Sequence, residues 1–183
     1  MRVLIIFKRK ADSRYDLVRL LYYLKLCHGR VSYLLSKVES KIEGIKDKVN
    51  YLGIEGSDGR RLLKEVDSLV NLAKSLAKMS AILEVLITRV ETLTIINLTV
   101  KDLTTIKEVV KELRNYAQNI PEISIIVEDI EDKVNDLIHE TRGTFRDSEV
   151  NIVAVNDAKN IIREAELIAE EKLKSLSGYP IKT

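Results

Sequence analysis

Tryptophan is absent from this chain of 183 residues, proline occurs twice, cysteine once, and aromatic residues make up only 5% of it. Each scarcity excludes something. A single cysteine, Cys27, rules out an intrachain disulfide and any metal cluster held by several thiolates, and it suits a reducing compartment. With so few aromatic rings, a core must be aliphatic, built mainly from Leu, Ile and Val. Proline only at Pro121 and Pro180, with seven glycines, leaves long stretches in which nothing breaks a helix. Long apolar runs are missing too, so no membrane span is expected. The apolar stretch Val3–Phe7 is too short for a signal peptide and runs straight into Lys8, Arg9 and Lys10.

Catalytic equipment is equally sparse. The two histidines, His28 and His139, lie far apart and on different expected helices. Asp129, Glu131, Asp132 and Asp136 cluster in sequence, but without a histidine or a loop of oxygen ligands they read as the wet side of a helix. The three glycines around residue 56 have no preceding strand and no following Lys-Ser or Lys-Thr, so they do not make a phosphate-binding loop. No enzyme, metal or cofactor is expected.

What the chain does have is 45% hydrophobic and 32% charged residues, interleaved along its length as in amphipathic helices with wet faces. Its formal net charge of +2 hides an asymmetry. Residues 1–64 carry 15 Lys and Arg against 7 Asp and Glu, whereas residues 101–183 carry 12 against 17. The basic first third can be drawn to an anionic surface, and the acidic last part can neutralise it within the chain, although solvated helix faces produce charge runs as well. Nucleic acid fits less well. Tyr15, Tyr22, Tyr23, Tyr33 and Tyr51 are interleaved with basic residues but show no compact arrangement on one face of the expected helix.

The periodicity predicts an all-α chain led by a long antiparallel hairpin. A first helix from about Asp16 to Leu52 carries Val31, Leu35, Val38, Ile42, Ile45, Val49 and Leu52 at alternating spacings of four and three, and Leu17, Leu21 and Leu24 extend the stripe backwards. Gly53 to Gly59 is read as a seven-residue turn. A second helix follows, with Leu62, Val66, Leu69, Ala73, Leu76, Ser80, Leu83, Ile87 and Val90 facing the first. The β-branched stretch 91–100 has no strand to pair with and is expected to continue the helix or to form a helical linker. Shorter helices are expected at 101–119 and, opened by Pro121, at 121–140. Residues 141–154 read as a mobile connection, and the last helix, within 155–183, carries a thin alanine-rich face with Ala158, Ala165 and Ala169.

In this order the segments resemble the archaeal members of the ESCRT-III family, the membrane-remodelling proteins of the Cdv cell-division system. The likeness is carried by Ala81–Leu93 near the end of the second helix, by Val110–Leu113 leading to Ile120–Ile123, and by Ala158–Glu166. It implies an ESCRT-III-like core at 16–140 with its hairpin at 16–90, preceded by a membrane-proximal segment at 1–15 and followed by a regulatory C-terminal helix. It also implies polymerisation with copies of itself and related subunits on an acidic lipid surface, in the cytoplasm at the division site. On that reading Phe7, Lys8, Arg9, Lys10, Lys25, Arg30 and Lys37 face the membrane, although residues 3–7 could equally fold back over the core. Val31, Leu35, Val38, Ile42, Ile45, Val49 and Val66 form the hairpin core. The family's proline- or leucine-rich tail motif for the disassembly ATPase has no good copy in Ser177–Ile181, and no winged-helix extension follows. The resemblance therefore suggests a short paralogue that meets that ATPase only indirectly. A helical adaptor that never polymerises on membranes is the rival reading.

Overall fold

The computed structural model describes residues 2–52, 57–96, 98–142 and 149–174, and along residues 2–14 it describes the backbone alone. Five helices follow one another: α1 (Arg2–Leu52), α2 (Ser57–Ile95), α3 (Val100–Ala117), α4 (Pro121–Arg142) and α5 (Glu149–Lys174). No strand occurs among the described residues, so the chain is all-helical and begins with a long hairpin.

Several boundaries differ from those the sequence suggested. α1 starts at Arg2, not near Asp16, so residues 2–15 are one piece with the hairpin's first helix. Its 51 residues make a rod of about 77 Å. Ser57, Asp58 and Gly59 belong to α2, with Asp58 in its first turn, where a carboxylate suits the helix dipole. Residues 57–59 of the expected seven-residue turn are thus helical, and residues 53–56 lie outside the described residues. α5 begins at Glu149, ahead of the expected 155, and residues 143–148 of the expected connection also lie outside.

The largest correction falls at residues 91–100. The expected helix continuation stops at Ile95, and the chain turns before α3. The cause is a reciprocal cap. Thr99, in an extended conformation, accepts a hydrogen bond from the Asp102 backbone amide at 3.2 Å, while the Asp102 carboxylate accepts one from the Thr99 amide at 3.3 Å. Arg89 reaches back from α2 to the same carboxylate at 3.4 Å. At the next corner α4 opens on Pro121 as expected, because a first-turn position does not need the missing amide hydrogen.

Ion pairs trace how the rods lie. Lys25–Glu91 (2.7 Å) and Lys41–Glu65 (2.8 Å) hold α1 and α2 antiparallel. α4 returns along α1, with Glu122 at its start beside Arg30 (3.4 Å) and Lys133 in the field of Asp16 and Arg19. α3 folds back on α2, placing the Tyr116 ring 5.7 Å from the Lys78 ammonium. α5 lies across α2 and α3. Its start is tied to α3 by Lys101–Asp157 (2.9 Å), its middle and end to α2 by Lys78–Glu166 (3.0 Å) and Lys172–Glu84 (2.8 Å).

Two apolar clusters result. The larger holds residues of all five helices, among them Leu20, Leu24, Leu83, Leu86, Ile106, Leu113, Ile130 and Ala165, none of them exposed at all. This is the body. The smaller holds Ile42, Ile45, Val49, Val66 and Ala73 between α1 and α2 alone. This is an arm, in which the hairpin continues beyond the body. Leu35 and Val38, half-buried, touch both clusters and mark the junction.

Candidate functional site

Every residue expected in the hairpin core faces the seam, but the seam belongs to two regions. Val31 sits in the body, Leu35 and Val38 at the junction, and Ile42, Ile45, Val49 and Val66 in the arm. Farther back along α1 the stripe runs through Leu17, Leu20 and Leu24. Leu20 takes the buried place expected of Leu21, which is half-buried beside it. His28, where the stripe falters, has a polar task. Its Nε2 lies 3.2 Å from the Ser80 hydroxyl and 3.3 Å from the Glu84 carboxylate, so the imidazole joins α1 to α2.

Glu84 also receives Lys172 of α5, at 2.8 and 3.0 Å to its two oxygens. Burial raises the Glu84 pKa, but the Lys172 ammonium and His28 outweigh it and hold the carboxyl below its ordinary range. Nearly two turns earlier, Glu166 of α5 accepts from Lys78 and lies 3.5 Å from the Tyr116 hydroxyl. That hydrogen bond keeps the Lys78 ammonium charged to higher pH. From Glu84 onward along α2 an open groove is lined by Glu84, Val85, Thr88 and Arg89 and, from α5, by Ile161, Glu164 and Ile168. α5 rests on a face of Ala154, Ala158, Ile161, Ala165 and Ala169, all buried, with Ile162, Ile168 and Leu173 half-buried beside them, and on ion pairs that remain partly in water.

The expected membrane-facing residues are dispersed. Lys25 is engaged with Glu91 and Arg30 with Glu122, all four side chains about half in solvent, and Lys37 is exposed. Phe7, Lys8, Arg9 and Lys10 stand within α1, and their side chains lie outside the described ones. What the sequence reading missed is on the same helix. Tyr15, Val18, Tyr22, Leu26 and Tyr33 are all exposed, and their spacing of three, four, four and seven puts them on one face. Three of the five tyrosines read as scattered thus share a surface. Periodicity along α1 could have found this second stripe, which runs opposite the Leu17–Leu24 seam.

Among the described residues no group of His, Cys, Asp and Glu could hold a metal ion, and no helix is long and apolar enough to cross a membrane. Asp129, Asp132 and Asp136 are exposed on α4, while Glu131 is drawn inward by Arg114 at 2.9 Å. No family model matches the chain, and no solved structure matches it significantly.

Proposed function

We propose that this chain is a subunit of a membrane-remodelling polymer of the archaeal ESCRT-III kind, acting on the cytoplasmic membrane surface in cell division or vesicle budding. Its partners are copies of itself, related subunits and acidic lipid, with the disassembly ATPase reached only through those relatives. The observation that carries the reading is the unequal build. The hairpin seam outruns the five-helix body, while the fully buried part of α5 is four alanines and Ile161, flanked by half-buried Ile162, Ile168 and Leu173 and by partly exposed ion pairs. Alanine buries little apolar area, and partly exposed ion pairs contribute about 0–1 kcal/mol each, so α5 can be displaced without destroying the hairpin.

On this reading the described state is the closed monomer and α5 is its clasp. Opening releases α5, breaks the Thr99–Asp102 cap and lets α3 swing away, which uncovers the body half of the seam for a neighbouring subunit. A closed-state preference of about 3 kcal/mol keeps the open form below about 1% in solution, and several lipid or subunit contacts acting together reverse it.

Sedimentation with acidic liposomes, combined with negative-stain microscopy, tests the proposal. The full chain is expected to sediment with the vesicles, and a chain lacking residues 144–183 is expected to form ordered filaments at concentrations where the full chain stays monomeric. A truncated chain that remains monomeric and helical defeats the clasp. A full chain that neither sediments nor assembles leaves the adaptor reading in its place.

A further inference from the structure

The outer face of α1 carries large apolar side chains that nothing among the described residues covers. Tyr15 is 65% exposed, Val18 55%, Tyr22 63%, Leu26 44% and Tyr33 58%. Gly29 stands in the gap between Leu26 and Tyr33, with no atom within 4 Å of where a Cβ would be. Among the described residues α1 has only α2 and α4 as helical neighbours, and they leave this third side of the rod open along about 27 Å. The aromatic residues are also segregated. No aromatic ring is fully buried in either cluster, and Tyr23 and Tyr116 only pack against the edge of the larger one, whereas four tyrosines, three of them in this stripe, are exposed.

Charge decides among possible occupants. Between Asp16 and Glu39 α1 has no acidic residue, and Arg19, Lys25, Arg30 and Lys37 flank the stripe, all four exposed. Lys25 and Arg30 are also within reach of Glu91 and Glu122 on the neighbouring helices, through ion pairs that lie about half in solvent. A second copy docking here would set positive flank against positive flank. An RNA strand would find basic residues, but Val18 and Leu26 between the rings offer no base a stacking surface. An anionic lipid surface satisfies both parts. Tyrosine rings settle at headgroup depth, aliphatic side chains enter the acyl boundary, and basic side chains on the flanks reach up to phosphates.

We propose that Tyr15, Val18, Tyr22, Leu26 and Tyr33 form a shallow insertion stripe by which α1 lies in the plane of an anionic bilayer, with Arg19, Lys25, Arg30 and Lys37 on the headgroups. This rests on the reading of the chain as a membrane-surface subunit and names the residues that enter the lipid. It moves the apolar contact away from the hairpin seam, so membrane binding and the hairpin core use opposite sides of one helix.

The absence of tryptophan makes the test direct, since any introduced indole is the only one in the full chain. Tyr22→Trp places the reporter in the stripe, and Tyr51→Trp places it at the end of the arm, where the native side chain is 91% exposed. With mixed phosphatidylserine–phosphatidylcholine vesicles, emission from the first is expected to shift to the blue and to be quenched by brominated acyl chains, while the second stays unmoved. A variant with Tyr15, Tyr22, Leu26 and Tyr33 all replaced by Ser keeps every basic residue. It is expected to retain its helicity and melting curve and to bind the vesicles about ten-fold more weakly. A chain that sediments with vesicles while the Tyr22→Trp reporter stays unshifted, or a serine variant that binds undiminished, overturns the stripe and leaves the membrane reading intact. A blue shift that grows with protein concentration alone assigns the face to a second copy. One that appears only with single-stranded RNA assigns it to nucleic acid, and either overturns the proposal. An unmodified chain that ignores anionic vesicles removes the stripe together with the reading beneath it.

Discussion

The two halves of α2 have similar lengths but opposite surroundings. From Leu62 to Ala73 the helix meets α1 alone and buries one stripe, with Val66 and Ala73 inside and Leu62, Leu69 and Val70 half-covered. From Leu76 to Leu86 it is enclosed by α1, α3 and α5, and Leu76, Ala77, Met79, Ser80, Ala81, Ile82, Leu83 and Leu86 are all buried. One chain thus carries a two-helix arm with five buried residues and a five-helix body with thirty. A two-helix seam offsets little of the conformational entropy lost in forming it, and it opens locally, whereas body residues open only with the whole unit. The lesson is that a continuous helix is not uniformly stable along its length.

Charging the core of each region gives the largest contrast. Leu83→Asp buries a carboxylate with no partner in the body and is expected to cost several kcal/mol, enough to unfold the chain. Thermal melts by circular dichroism measure this, and Cys27 gives a second readout. Burial pushes that thiol's pKa up to about 12, so labelling at neutral pH reports opening of the body. Ionisation of the unfolded thiol, with an ordinary value of 9.0, also predicts that stability falls as pH rises from about 9 towards 12.

Leu69→Asp, in the arm and half-exposed, is expected to do less. Amides of residues 39–52 and 58–73 should exchange faster with solvent while the melting of the body and the Cys27 labelling rate hardly change. Equal loss in the two variants would erase the distinction between arm and body.

The turn between α2 and α3 sits next in size. Thr99→Ala removes one half of the reciprocal cap and is expected to cost about 1 kcal/mol, readable as a small drop in denaturation midpoint. If the opened form straightens there, the same variant should also assemble more readily on acidic vesicles. Smallest is Glu84→Gln. With the carboxyl about 40% exposed, the loss at pH 7 should stay within about 1 kcal/mol. Because the folded-state pKa is lowered, that contribution is present above the ordinary value of 4.5 and disappears as pH falls through the folded one, so the two chains should converge in stability once the pH is below it.

Much of this architecture was legible because periodicity reports burial when a helix has one neighbour. The arm stripe of Ile42, Ile45, Val49 and Val66 follows from spacing alone. The central stretch of α2 was harder to read. A heptad reading picked Leu76, Ser80 and Leu83 and left out Met79, Ala81, Ile82 and Leu86, although a run nearly free of charge signals a helix covered on several sides. The break before α3 was misread because β-branched residues drew attention away from Thr99 and Asp102, whose spacing of three is a capping pattern. The tyrosine stripe was missed for a related reason: one helix with two apolar faces looks scattered when only the stronger is followed.

The unbroken length of α1 has a mechanical consequence. Body and arm share one rod of 51 residues with no internal proline, so they cannot pivot independently without bending it. A tilt of about 10° about one end of a rod that long sweeps the other end through about 13 Å. Small changes in how the body seats on a surface are therefore geared up at the arm's end, and Tyr51 is a convenient place to attach a dye that registers them.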